Sequence, residues 1–427
     1  MLQITDWNSL DQSQRRSVLA RPASSTSAEL TRDVAAIIAE VRAGGDAALE
    51  ELTRRFDGMA PVSLRVPEAE IQTAAGQLSA EQREALERAR DNILTFHEAQ
   101  RSTPISVTTQ PGVECRRVTR PIDAVGLYVP AGSAPLPSTT LMLAIPAAVA
   151  DCPRRVLVTP ARADGRADPS VLASAALTGV DEVYVVGGAQ AIAALAYGTE
   201  SIASVDKVYG PGNAWVTEAK LQVSRDPLGA ACDLPAGPSE VLVIADDSAL
   251  PDCVAADLLS QAEHGPDSQV LLVAVSERFA SQVRDEIEAQ LAQLPRAAIA
   301  GQALKNSRIV LARDLRQAVA ISNEYAPEHL ILATGDAESL LDEVTAAGSV
   351  FLGHWTPESL GDYCSGTNHV LPTYGFARAF SGLGVEDFQR RITVQTASAE
   401  GLRGIGPTAI TLARLEGLEA HASAVER

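Results

Sequence analysis

The stretch VYVVGGAQAIAAL, residues 183–195, decides the fold. A β-branched run stops at Gly187-Gly188 and passes directly into an alanine-rich helical pattern, with Gln190 in the first helical turn. The same grammar returns in KVYGPGNAWVTEAK, residues 207–220, where Gly210-Pro-Gly212-Asn213 separates strand from helix. Strands that alternate with helices of 10–15 residues build βαβ units and parallel sheets. Working outward, strands are expected at 115–119, 124–129, 155–158, 182–186, 207–209, 241–245, 269–273, 308–311, 330–333 and 350–352. Helices are expected between them, as at 169–177, 189–197, 250–262 and 277–293. Ten strands exceed one small sheet, so two doubly wound α/β domains are expected. The proline- and glycine-rich segments 130–137 and 233–238 are natural crossings between them.

Upstream of this region the pattern is helical. Ser27 is placed to cap a run that ends at Gly44-Gly45, Asp46 starts a second helix, and a third spans about 67–99. Beyond Pro372 the β signal fades, leaving helical stretches at about 385–391 and from Pro407 onward. A terminal helical arm of that size has no core of its own, so it is expected to pack on a partner subunit.

The 427 residues carry a net charge of −19, which argues against nucleic acid or an anionic membrane as partner. No apolar run reaches the about 20 residues of a membrane span; the longest, 141–150, is broken by Pro146. The first residues lack the basic-then-apolar layout of a secretory signal, so the cytoplasm is expected. Five cysteines, at 115, 152, 232, 253 and 364, form no CxxC pair and read as small buried hydrophobes in a reducing compartment.

Glycine in a βα turn lets a ligand approach the backbone, and the helix N-terminus beyond it offers free N–H groups to phosphate. Neither turn is a full GxGxxG fingerprint, because Trp215 occupies the third glycine position of the second. Each alone is more often an ordinary turn than a nucleotide site. A third loop, YVPAGSAPLPST from Tyr128, has the same setting. Three such loops at the carboxyl ends of parallel strands favour a dinucleotide.

Five of the six histidines lie beyond residue 260. In LLSQAEHGPDS, Gln261 and His264 stand one helical turn apart, a spacing open to two ligands on one ion, although on this fragment alone a surface amide and a dipole-stabilised histidine are the preferred reading. In EYAPEHLIL, Glu328-His329 emerges from a turn behind Pro327. Neighbours on a strand point to opposite faces, so the two share a pocket only if the turn persists through them. GDYCSGTNHVLPTYG, residues 361–375, is an irregular polar loop carrying Asp362 and His369. LARLEGLEAHA carries Glu416 and His421, which face one site only if Gly417 loosens the helix. His97 and a partnerless His354 read as structural.

With these motifs in place, the chain resembles the histidinol dehydrogenase family from about Arg32 to His421. GLYVPAGSAPLPST, VVGGAQAIAALAYGT, KVYGPGNAWV, AGPSEVLVIAD, SQAEHGPDS, NEYAPEHL, GDYCSGTNHVLPT and LEGLEAH occur in that order. The resemblance implies two NAD-dependent oxidations, from L-histidinol through the aldehyde to L-histidine, with one zinc ion per subunit. It implies two incomplete Rossmann-like domains with a helical N-terminal segment and a C-terminal helical arm, in an intertwined homodimer. The corresponding division is an N-terminal segment (1–27), a first domain with metal and acid–base residues (28–128 and 240–380), an NAD domain (129–239) and a dimerisation arm (381–427).

Carried over by motif, Gln261, His264, Asp362 and His421 are zinc ligands, and Glu328 and His329 are the acid–base pair. Ser239, His369 and Glu416 join the metal ligands and His329 as substrate contacts, while Tyr128, Gln190 and Asn213 are NAD contacts. His421 and Glu416 are implied to reach the neighbouring subunit's site. Ala131 departs from the glycine that many members carry there. A relative acting on a sulfonate alcohol would be expected to hold Arg or Lys in place of His369 and Glu416. A non-catalytic sensor would need no proton acceptor such as Glu328-His329.

Overall fold

The computed structural model describes residues 2–22, 28–59, 61–131, 134–235 and 237–427. Two parallel sheets form its frame. One has six strands in the order Ile4–Asp6, Arg308–Leu311, Gln269–Ala274, Glu240–Ala245, His329–Ala333, Ser349–Leu352. The other has five, in the order Glu182–Val185, Arg154–Thr159, Ala124–Tyr128, Lys207–Tyr209, Ala231–Cys232. Every residue of Glu240–Ala245 and Gln269–Ala274 is buried, because helices cover both faces. That is why these strands read as unbroken apolar runs rather than as alternation.

Several expectations need correction. The segment 28–128 does not belong with 240–380. Ala124–Tyr128 is the central strand of the five-stranded sheet, and the helix Ala28–Asp57 lays Leu30, Val34, Ile37 and Leu49 into that sheet's core beside Ile192 and Leu195. The N-terminal segment is not separate either, since Ile4–Asp6 pairs with Arg308–Leu311 as the edge of the six-stranded sheet. One expectation at this end holds: Gly45, at φ 53° and ψ −136°, is non-helical and separates one helix from a second that runs on to Asp57. Ser27 lies outside the described residues. The helix expected over 67–99 is broken into Glu68–Thr73, a 3-10 turn and Ala80–Glu98, the last started by a capping box between Ser79 and Gln82.

The arm also differs from its reading. Residues 385–391 are not helical beyond a 3-10 turn at Val385–Phe388. Gln389–Ala397 is instead a nine-residue strand, antiparallel to Val113–Pro121, which pairs in turn with Ile105–Gln110. The β-branched alternation of RRITVQT suits a strand with a partner more than a lone helical turn. The following helix, Ala399–Leu415, begins ahead of Pro407 and contains it. Ile105, Val107, Ile392, Leu402, Leu412, Leu415 and Leu418 on these elements are exposed in the single chain. No described helix is long and apolar enough to cross a membrane. Among the cysteines, Cys152 is buried as expected, but Cys253 is exposed.

Candidate active site

The helix Leu315–Tyr325 stops because Ala326 turns into the left-handed region, φ 55° and ψ 69°, immediately before Pro327. Glu328 therefore sits ahead of the ladder, and His329 opens the strand. The turn persists far enough for both side chains to enter one buried space, with Glu328 Oε2 3.7 Å from His329 Nδ1. The start of the adjacent strand fixes both. The Glu240 N–H donates to Glu328 Oε2 at 2.8 Å, and the Glu240 carbonyl lies 3.0 Å from His329 Nδ1. A carbonyl can only accept, so Nδ1 carries a proton, and whenever the ring is neutral its lone pair lies on Nε2. That nitrogen is buried, makes no hydrogen bond and lies 3.4 Å from Asp362 Oδ1.

Charge is expensive here, and the groups divide it among themselves. Burial pushes the Glu328 carboxyl up to about 8, with His329 pulling in the opposite sense. Desolvation works against the His329 imidazolium, yet the carboxylates of Glu328 and Asp362 overcome it and raise its pKa to about 10. Asp362 is buried, which would raise it, yet it stays below its usual range because the imidazoles of His329, His369 and His264 lie close to it. Groups this close exchange a proton as a unit. Burial lowers the pKa of His369, against the pull of Asp362.

Gln261 occupies the last turn of the helix Pro251–Ala262 and is fully buried, yet neither its amide oxygen nor its nitrogen has a hydrogen-bond partner. The Glu358 carboxyl approaches this amide without closing a bond of normal geometry, and burial pushes it up to about 7. An unsatisfied buried amide costs about 1–3 kcal/mol, so this one is fitted to something it does not meet within the protein chain. His264 follows the helix end and keeps some exposed surface, but neighbouring atoms crowd it enough to lower its pKa by desolvation, opposed by the Asp362 charge. Asp362 comes from the short helix Glu358–Tyr363. Its carbonyl holds His369 Nδ1 at 2.8 Å, while His369 Nε2 lies 3.2 Å from Thr139 Oγ1. Ser239 immediately precedes Glu240.

The chain does not bring Glu416 and His421 to this cluster. Glu416 caps the helix Ala399–Leu415, Gly417 breaks it at φ 72°, and His421 rides on a separate helix, Glu419–Glu426. Gly417 thus does interrupt the helix, but both side chains are exposed on the arm. Among the described residues no three His, Cys, Asp or Glu side chains converge as a metal cage.

The turns that follow Tyr128, Val185 and Tyr209 all leave the carboxyl ends of strands in the five-stranded sheet. The Tyr128 hydroxyl accepts a hydrogen bond from the Gly188 N–H at 3.2 Å, tying the first loop to the second. Gln190 is buried in the first turn of the helix Gly188–Tyr197. Asn213 caps the helix Ala214–Arg225 by accepting from Trp215 and Val216 N–H. Gly210 sits at φ 123°, and a Cβ there would fall 2.1 Å from the Tyr128 carbonyl oxygen. Its carbonyl is held by Lys220 Nζ at 2.9 Å and its N–H by Asp233 Oδ2 at 2.7 Å.

Sequence reading missed Glu240, Thr139, Glu358 and Arg21. A glutamate opening an otherwise apolar buried strand, SEVLVIAD, was the available signal for Glu240. It left His354 without a partner, but Ser248 Oγ lies 3.1 Å from its Nε2. His97 is structural as read, buried with Nδ1 2.8 Å from the Ile93 carbonyl.

Comparison with known proteins gives the family. The family model described as histidinol dehydrogenase matches residues 19–427. The chain is 58% identical over 419 residues to a histidinol dehydrogenase of Vibrio vulnificus, covering 98% of this chain and 96% of the relative. It is 57% identical over 424 residues to that of Xanthomonas euvesicatoria, covering 99% and 98%. A crystal structure of histidinol dehydrogenase from Elizabethkingia anophelis superposes with a TM-score of 0.94 at 44% identity, covering 99% of this chain and 96% of that one. With the model spanning almost its full length, the chain belongs to the histidinol dehydrogenase family.

Proposed function

We propose that the protein oxidises L-histidinol to L-histidine in two successive NAD-linked steps. The observation that carries this reading is the buried pair Glu328 and His329, with the free Nε2 of His329 facing Asp362. In the first step His329 Nε2 takes the hydroxyl proton as the carbinol hydride passes to NAD, leaving the aldehyde. His329 releases that proton to solvent, the aldehyde adds water, and the hydrate gives its second hydride to another NAD as His329 again receives a proton. Glu328 is suited to activate that water: a carboxylate raised toward neutrality is a better base than an ordinary one.

Gln261, His264 and Asp362 fit a divalent ion, since the amide is orphaned and the donors are nitrogen and oxygen without thiolate, open to zinc, manganese or cobalt. His421 from a partner subunit would complete the set. When bound, the ion would anchor the substrate's imidazole and amine and would neutralise one carboxylate that keeps His329 charged. His369, held by Asp362 and Thr139, and Ser239 would line the substrate, with the partner's Glu416 closing its imidazole end. Tyr128, Gln190 and Asn213 would line the NAD site.

The direct test is NADH formation from histidinol and from histidinal, by protein stripped with a chelator and by the same protein after zinc is returned. NADH production in both assays, lost on stripping and regained with zinc, is expected. Metal-replete protein that reduces no NAD with either substrate would overturn the reading.

Two further results are expected. Glu328→Gln keeps an oxygen for the Glu240 N–H but removes a base, so oxidation of histidinal should fall at least about tenfold further than the alcohol step. Equal losses in the two half-reactions would contradict the water-activating role. Gly210→Ala forces a Cβ against the Tyr128 carbonyl at a φ that L-residues avoid. The strain should raise KM for NAD about tenfold or more, with KM for histidinol little changed. Unchanged NAD saturation would remove this loop from the dinucleotide site.

A further inference from the structure

Arg21 lies more than two hundred positions from the residues it holds. It is nearly buried, and its guanidinium forks onto the Glu240 carboxylate, with Nε 2.5 Å from Oε1 and one terminal nitrogen 2.8 Å from Oε2. The same nitrogen side reaches the Tyr325 carbonyl at 3.0 Å and the Ala326 carbonyl at 3.3 Å. The guanidinium also stacks over the Tyr325 ring, 3.9 Å from its centroid. Glu240 Oε1 takes a further bond from the Tyr374 N–H at 2.9 Å. The anchor itself is fixed, because Gln269 Nε2 donates to the Ala20 carbonyl at 3.0 Å while its Oε1 accepts from the Tyr325 hydroxyl at 2.8 Å.

These contacts converge on the acid–base pair from both sides. Glu240 presents its N–H to Glu328 and its carbonyl to His329 Nδ1. Tyr325 and Ala326 are the helix end from which Pro327-Glu328-His329 departs. One arginine therefore joins the strand that orients the pair to the turn that delivers it. Hydrophobic packing would hold strand against helix without a buried ion pair, whose desolvation is seldom repaid as stability. A bidentate fork fixes direction as well as distance.

We propose that Arg21 and Glu240 are positioning residues that set the orientation of Glu328 and His329 for both oxidations. The proposal rests on the reading of His329 as the base. Misplacement of a reacting group by about 1 Å costs about a hundred-fold in rate, whereas substrate and dinucleotide contacts lie on other residues. The clamp should therefore show in kcat and not in KM.

The test uses the full-length, zinc-loaded protein with steady-state kinetics on histidinol. Arg21→Gln should lower kcat at least about tenfold, with KM for histidinol and for NAD within about twofold and zinc content unchanged. Arg21→Lys should recover little, because a point charge does not reproduce the fork. Arg21→Met with Glu240→Gln leaves no buried unpaired charge, so it carries the test if Arg21→Gln fails to fold, and the same loss of kcat is expected. In a His329→Asn background the Arg21 change should add less than about twofold, since its effect passes through His329. Wild-type kcat in the charge-free double variant, or full additivity on His329→Asn, would overturn the clamp. If His329→Asn itself keeps wild-type activity, the base assignment falls instead, so the two failures are distinguishable.

Discussion

His329→Asn should lower turnover on histidinol by at least about a hundred-fold, with zinc content and subunit association close to wild type. The expectation follows from which atom is lost. An asparagine amide nitrogen can occupy roughly the place of Nδ1 and still donate to the Glu240 carbonyl, so the local hydrogen bonding survives. Nothing replaces Nε2, the nitrogen that the Nδ1 bond leaves free and that faces Asp362. Removal of a general base costs about 10²–10⁴-fold. His329→Gln should fare no better, since it returns a polar atom near Nε2 without returning basicity. The measurement is kcat for histidinol with metal analysis on the same sample. Turnover near wild type, with the metal in place, would sink His329 as the base.

The contrast between Glu328-His329 and Arg21 shows what was legible in the sequence. The dipeptide stands out because proline, acid and imidazole are adjacent, and Pro327 keeps Ala326 out of the helix, although the left-handed conformation that Ala326 takes is not what a following proline prescribes. The glycine turns were legible for the same local reason, and the runs 241–245 and 269–273 were legible as strands. Arg21 and Thr139 were not, because their roles exist only in contacts across 219 and 230 positions, which leave no trace in composition. The strand 389–397 was hidden in a related way. Its alternation is readable, but its stability comes from pairing with residues 113–121, and a helical tail was the local alternative. The domain boundary at 128 failed because strand order is a tertiary fact: Ala124–Tyr128 precedes the crossing loop yet lies at the centre of the sheet that follows it.

Glu416 and His421 leave the largest effect to test. They match site positions of the family, yet both are exposed on an arm whose apolar side chains, Leu402, Leu412, Leu415 and Leu418, also face outward in the single chain. Apolar residues clustered on one element are usually covered in the working assembly, and a second copy that covers them would also receive His421. Each active site should then hold Gln261, His264 and Asp362 from one chain and His421 from the other. His264→Ala and His421→Ala should each be inactive alone. Unfolded together in equal amounts and refolded, they should form mixed dimers in about half of the population under two-fold exchange. One site of each mixed dimer lacks both ligands, while the other has its own His264 and the partner's intact His421. Activity should return to about a quarter of wild type, from a starting point near zero. Demonstrated mixed dimers with no recovery would mean that His421 closes a site within its own chain, and the arm would then have to fold back by a path quite unlike the one seen.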